Sequence, residues 1–177
     1  NQPAARSGAG LVDIGGGQAV LLFGENDSGG LGDVWTYNAS TQNWDPTSLE
    51  NAVPAACDLQ DGFGAVAINS GIAVVGGTLR DGSPNTSLCL FSDLGGGTFE
   101  PTAVTLTGPT FTNAAVAFVD PFVYVFGGVG NGNTMMRLDT TNPTAWEVRT
   151  TTNAPSARAH HQMGVDANTG DLVIFGG

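Results

Sequence analysis

The chain has 177 residues and a formal net charge of −11, and its five basic residues are all arginines, at positions 6, 80, 137, 149 and 158. Such a chain has no basic patch to neutralise phosphates, which excludes nucleic acid and an anionic membrane surface as partners, and no apolar run approaches the ~18 residues of a membrane-spanning helix. Apolar residues make up 41%, charged residues only 12%, and 27 glycines punctuate short apolar runs; frequent turns between short runs point to an all-β chain, long enough to bury a core.

The first predicted elements are a short strand in "GAGLVDI" (8–14), a second in "AVLLFGE" (19–25), a polar loop "ENDSGGLGD", an alternating strand "DVWTYN" (33–38), a turn and then Trp44. The order then recurs. Strands "GAVAIN" (64–69) and "IAVVGGT" (72–78) precede the loop "TLRDGSPNT", the strand "SLCLFS" (87–92) and Phe99. Strands "AAVAFV" (114–119) and "VYVFGGV" (123–129) precede "VGNGNTM", "MMRLD" (135–139) and Trp146, and a last pair, "HHQMGVD" and "LVIFGG", closes the chain. The first glycines after the second strands fall at Gly24, Gly76, Gly127 and Gly176, at intervals of 52, 51 and 49 residues.

A period near ~50 residues with four strands per unit is the mark of blade-like β repeats, which bury their sheet faces by stacking on one another. The repeats are placed at about 3–50, 58–103, 109–150 and 154–177, all within a single unit 1–177. Gly24, Gly76, Gly77, Gly127, Gly128, Gly176 and Gly177 are expected to supply a sharp exit or a close backbone approach. Trp44, Phe99 and Trp146 are expected to fill the space between blades.

These residues carry a resemblance. Phe126-Gly127-Gly128, the run Asp33-Val34-Trp35-Thr36-Tyr37-Asn38 with Trp44, and the openings "PAARSGAG" (3–10) and "APSARAHHQ" (154–162) together resemble the kelch repeat. The second repeat departs from it, with Phe99 in place of Trp and no opening arginine, and the third also lacks that arginine. The resemblance implies an all-β fold of kelch-type β-propeller blades, each of four antiparallel strands. It implies an incomplete propeller of about three and a half blades, since such rings close with about six or seven. In kelch-like repeats arginines at the positions of Arg6 and Arg158 brace loops or line the top face, so both are candidates for loop bracing or ligand contact.

Compartment is read from small signals. Asn26-Asp27-Ser28, Asn38-Ala39-Ser40 and Asn85-Thr86-Ser87 are candidate N-glycosylation sequons in turn-like sequence. Cys57 and Cys89 permit one disulfide or a buried free pair. The opening Asn-Gln-Pro reads as a processed form or as a piece of a longer chain. Together these point to a secreted or cell-surface setting.

Chemical constellations are sparse. His160 and His161, the only histidines, point to opposite faces if they lie on a strand, so they read as repeat positions rather than metal ligands. Asp166, Asn168 and Asp171 lack the spacing of a calcium loop and read as a turn, and Glu25, Asp27 and Asp33 read as a solvated acidic loop. No catalytic residue, metal or cofactor is assigned. The expected function is a non-catalytic extracellular module that binds protein or glycan or takes part in structural assembly. Its partners would be other chains or the remainder of the propeller. The alternative, from the same resemblance, is part of a secreted copper oxidase of the galactose oxidase type; Tyr37 and Tyr124 are the only tyrosines, and its ligands are not recognisable here. An intracellular substrate-adaptor role, known among kelch proteins, fits the sequons less well.

Overall fold

The computed structural model describes residues 2–177. Its first sheet orders β1 (Gly10–Gly15), β2 (Gln18–Leu22), β5 (Val34–Asn38) and β6 (Asn43–Pro46), with the small hairpin β3 (Glu25–Asn26) and β4 (Gly29–Gly30) in the loop after β2. The second orders β8 (Leu59–Ile68), β9 (Gly71–Leu79), β10 (Ser87–Gly95) and β11 (Thr98–Thr105), and β7 (Ser48–Leu49) adds to it in parallel against β11. The third orders β12 (Ala115–Val119), β13 (Phe122–Phe126), β14 (Met135–Asp139) and β15 (Glu147–Arg149), and the last is the hairpin β16 (Gln162–Val165) and β17 (Leu172–Phe175). Ser48 and Leu49, placed in the first repeat from sequence, thus join the second sheet.

The sheets stand side by side as blades. Strand β8 packs between β1 and β12, and β12 packs on to β16, so the first strand of every sheet lines a common inner wall. Strand β9 explains why "IAVV" reads as a continuous apolar run rather than an alternation. Ile72 and Val74 enter the core shared with Val20 and Leu22 of the first blade, whereas Ala73 and Val75 enter the core shared with Val123 and Val125 of the third. Both faces are covered, so both need apolar side chains.

The glycine pairs have one geometry throughout. Gly76-Gly77, Gly127-Gly128 and Gly176-Gly177 all take positive φ, with values of 67 and 87, 64 and 90, and 77 and 98 degrees. In the first blade the same pair of conformations belongs to Phe23 (φ 55) and Gly24 (φ 101). This corrects the alignment read from sequence: Gly24 matches Gly77, not Gly76, and Phe23 holds the first position of the pair. A Cβ on Gly76 or Gly127 would run into the carbonyl oxygen of Phe111 or Arg158 in the following blade, and the second position of the pair is blocked in every blade. A Cβ on Gly24, Gly77, Gly128 or Gly177 would lie 2.7, 2.6, 2.9 or 3.0 Å from the carbonyl oxygen of Ser7, Asp61, Thr112 or Ala159, all on the lead-in to the inner strand of its own blade.

Two residues further along that lead-in sit Ala9, Phe63, Ala114 and His161, each against the same glycine. Between them lies another repeated feature, a left-handed residue: Gly8 (φ 66), Gly62 (φ 67), Asn113 (φ 56) and His160 (φ 59). The N–H of Asn113 donates to the Gly62 carbonyl at 2.7 Å and that of His160 to the Asn113 carbonyl at 2.9 Å. Gly77 and Gly128 donate to the carbonyls of Phe111 and Arg158 in the following blade, at 2.6 and 2.9 Å. Neighbouring blades are therefore joined by main-chain hydrogen bonds as well as by side-chain packing.

Candidate functional site

The surface that most differs from an ordinary exterior is the outer face of the first blade. Residues paired across an antiparallel sheet share a face, and Leu11 pairs with Leu21, Leu21 with Trp35, Trp35 with Pro46, and Tyr37 with Trp44. These six side chains form one apolar and aromatic face with no blade upon it. Leu11 is 63% exposed, and the Tyr37 and Trp44 rings lie 5.0 Å apart between centroids. With the glycine pairs aligned, Leu21, Trp35 and Tyr37 correspond to Val74, Cys89 and Phe91 of the second blade, which are at most 1% exposed because the first blade covers them. We call this the head face. Trp44, expected between blades, lies on it and is half-buried. Phe99 is buried between the first and second blades, and Trp146 packs edge-on against Phe111 at 4.9 Å between the second and third.

The opposite end carries the matching half. In β17, Val173 and Phe175 are 53% and 81% exposed, and they correspond to Val20 and Leu22, which are fully buried against the second blade. Their neighbours Leu172 and Ile174 face back toward the third blade and are half-buried. This tail face also presents Gly164 and Gln162.

The arginines brace loops at equivalent places. Arg6 donates to the Phe23 carbonyl at 2.8 Å, and Arg158 to the Gly176 carbonyl at 2.7 Å. Arg6 also forks on to the Asp33 carboxylate, which accepts a further hydrogen bond from the Trp35 indole at 2.6 Å. Hydrogen bonding from Arg6, helped by Trp35 and opposed by partial burial, holds the Asp33 carboxyl below the usual range. Glu25 accepts from the Gln60 amide, and Asp33 is taken up by Arg6. Asp166 accepts from the Asn168 N–H at 2.8 Å in the turn between β16 and β17. Among the described residues no group of three or more His, Cys, Asp or Glu is placed to hold a metal ion, and no helix is long and apolar enough to cross a membrane.

Cys57, at the end of a short 3-10 turn (Ala55–Cys57), is bonded to Cys89 in β10. The bond ties the connection between the first two blades to the third strand of the second. Of the sequons, Asn26 and Asn38 end strands β3 and β5, and their side-chain oxygens accept from the N–H groups of Ser28 and Ser40 in the turns that follow. Asn85 is different, and the expectation that it can be reached is corrected. It is 2% exposed, its amide donates to the carbonyls of Gly76 and Ser87, and its oxygen accepts from Ser87 N–H. A glycan there would break the exit of β9. The sequence implies two uncovered sheet faces in an incomplete propeller but does not single out their residues, because these are ordinary core residues exposed only through their place in the blade order.

No protein-family model matches the sequence. The chain is 33% identical over 187 aligned positions to "Multiple epidermal growth factor-like domains protein 8" of Homo sapiens, and equally to the proteins of that name from Rattus norvegicus and Mus musculus. The alignments cover 98% of this chain but only 6–7% of the length of those relatives. Among solved structures, that of YjhT superposes with a TM-score of 0.68 at 16% identity, over 92% of this chain and 57% of the other. The sheet order, the shared inner wall and this likeness lead to one conclusion: the chain folds as an open arc of antiparallel β-propeller blades.

Proposed function

We propose that the chain is a non-catalytic, kelch-type propeller module of a secreted protein, and that it works by assembly through its two end faces. The observation that carries this reading is positional equivalence. Leu21, Trp35 and Tyr37 on the head face correspond to Val74, Cys89 and Phe91, and Val173 and Phe175 on the tail face to Val20 and Leu22, all at most 1% exposed where the first and second blades meet. Each face is half of an inter-blade interface already present in the molecule, so the partner it fits is the apolar face of a further blade. Exposed apolar faces of this kind mark interaction surfaces.

The extracellular setting is supported by three observations. The similar proteins are named for epidermal growth factor-like domains, a module type stabilised by dense disulfides in oxidising compartments. Cys57 and Cys89 are bonded, and Asn26 and Asn38 present sequons at strand ends that lead into turns. Nothing in the geometry favours the copper-oxidase reading: Tyr37 lies on the head face beside Trp44, and Tyr124 lies two blades away beside Phe122.

The test compares two settings. In the isolated 177-residue chain, Leu11→Asp and Phe175→Asp alter exposed side chains and are expected to change stability by no more than about 0.5 kcal/mol. In the natural protein the same charges would be buried, and each is expected to cost about 3 kcal/mol or more, read as a lowered melting temperature of this module. Leu94→Asp, exposed away from both faces, serves as the neutral control. Equal, small effects in both settings would rule out blade-on-blade assembly.

A further inference from the structure

The seam between the third blade and the β16–β17 hairpin differs from the other two in one residue. The position that holds Ala9, Phe63 and Ala114 in the other blades holds His161 here. Its side chain is buried, at 3% exposure, and neither ring nitrogen makes a well-formed hydrogen bond among the described residues. The ring stands edge-on to Phe126 of the third blade at 5.6 Å and 84 degrees, much as Phe63 stands to Phe23 at 5.7 Å and 78 degrees. An imidazole thus fills an aromatic slot between blades.

The surroundings offer a proton no counter-charge. The third blade contributes Phe126 and Gly127, β17 leads into Gly177, and the charged group acting on the ring is Arg158 of its own lead-in, a cation. The Phe126 main chain favours a protonated ring, but burial and Arg158 outweigh it. Farther out on the same face of the third blade, Arg137 is already paired with Glu147 at 2.9 Å and stacked over Phe122. Main-chain bonds from His160 N–H to Asn113 and from Gly128 N–H to Arg158 flank the ring.

We propose that this seam is an acid-labile joint, closed while His161 is neutral and loosened when it takes up a proton. Burial, reinforced by Arg158, depresses the imidazole's pKa in the closed state below its ordinary value of 6.5. Once the hairpin swings out, the ring meets water and recovers that ordinary value. The open state therefore binds more protons than the closed one as pH falls below about 6.5. Closure is fully favoured above that pH, and the opening constant rises up to about tenfold per pH unit below it, until the depressed pKa is reached. Loosening uncovers Phe126 and withdraws the tail face, so an assembly made through that face would be released in mildly acidic surroundings.

Amide hydrogen exchange of residues 162–175, corrected for the intrinsic pH dependence of exchange, reads the opening directly. The background is His160→Asn, which removes the only other histidine and installs the residue that Asn113 provides at the equivalent left-handed position. Between pH 6.5 and 5.5 the opening constant of the hairpin is expected to rise by up to about fivefold, with the second blade unchanged. His161→Phe, which copies Phe63, is expected to abolish the rise; if that variant packs poorly, His161→Ala, which copies Ala114, gives a second pH-independent reference. A flat profile with His161 present, or the same rise in both variants, would overturn the proposal.

Discussion

Gly77→Ala is expected to destabilise the protein by about 2–5 kcal/mol, near 3 kcal/mol at mid-range, the sum of a left-handed conformation, ~1–2 kcal/mol, and an overpacked contact, ~1–3 kcal/mol. At φ 87 degrees a new Cβ would sit 2.6 Å from the Asp61 carbonyl oxygen and 2.7 Å from the Phe63 Cβ. Neither obstacle can step aside, because the first is backbone and the second belongs to a ring packed against Phe23. For a domain of this size the melting temperature should fall by roughly 6–12 °C. Gly95→Ala separates the two causes. Gly95 has a similar φ of 85 degrees, but nothing lies within 4 Å of a Cβ there, so only the conformational cost of ~1–2 kcal/mol remains. Equal melting temperatures for the two variants would show that the cradle behind Gly77 is not close-packed.

Phe23→Ala is expected to cost about 3–5 kcal/mol, the range for removing a buried phenylalanine ring. Phe23 is fully buried and lies between the Phe63 and Phe91 rings, 5.7 and 5.9 Å away. The sharper expectation concerns glycine. Phe23→Gly leaves the same cavity but restores the residue found at the equivalent positions Gly76, Gly127 and Gly176, where φ is positive. It should therefore be more stable than Phe23→Ala by about 1 kcal/mol, the reverse of the usual order within strands. Thermal or chemical denaturation of the two variants decides the matter, and a glycine variant no better than the alanine one would refute the assignment of Phe23 to the first position of the glycine pair.

The blades were legible in the sequence because their spacing and apolar runs repeat. The residue-by-residue register was not. Aligning "FGE" with "FGG" by its letters sets Gly24 against Gly127, while the backbone sets it against Gly128, since an aromatic ring has taken the place of the first glycine and its burial offsets the conformational cost. Exposure was also hidden. "LVIF" in β17 has the composition of a strand buried on both faces, as "IAVV" is in β9, yet Val173 and Phe175 are open and Leu172 and Ile174 are half-covered. Which face of a strand is covered depends on the sheet next to it, and no local pattern records that. Asn85 shows the same limit on a smaller scale. Its sequon resembles the other two, and only the fold reveals that the amide is spent on the carbonyls of Gly76 and Ser87.

On the proposed reading, the head and tail faces are halves of one kind of interface. Hydroxyl-radical footprinting, read by mass spectrometry at Trp35, Tyr37, Trp44 and Phe175, tests it most directly when the isolated chain is compared with the natural protein at neutral pH. Ready labelling of all four residues is expected in the isolated chain and strong protection of the same four in the natural protein, with exposed Leu94 labelled alike in both. Equal labelling of the four residues in the two samples would contradict it, and would mean that these faces stay open to water.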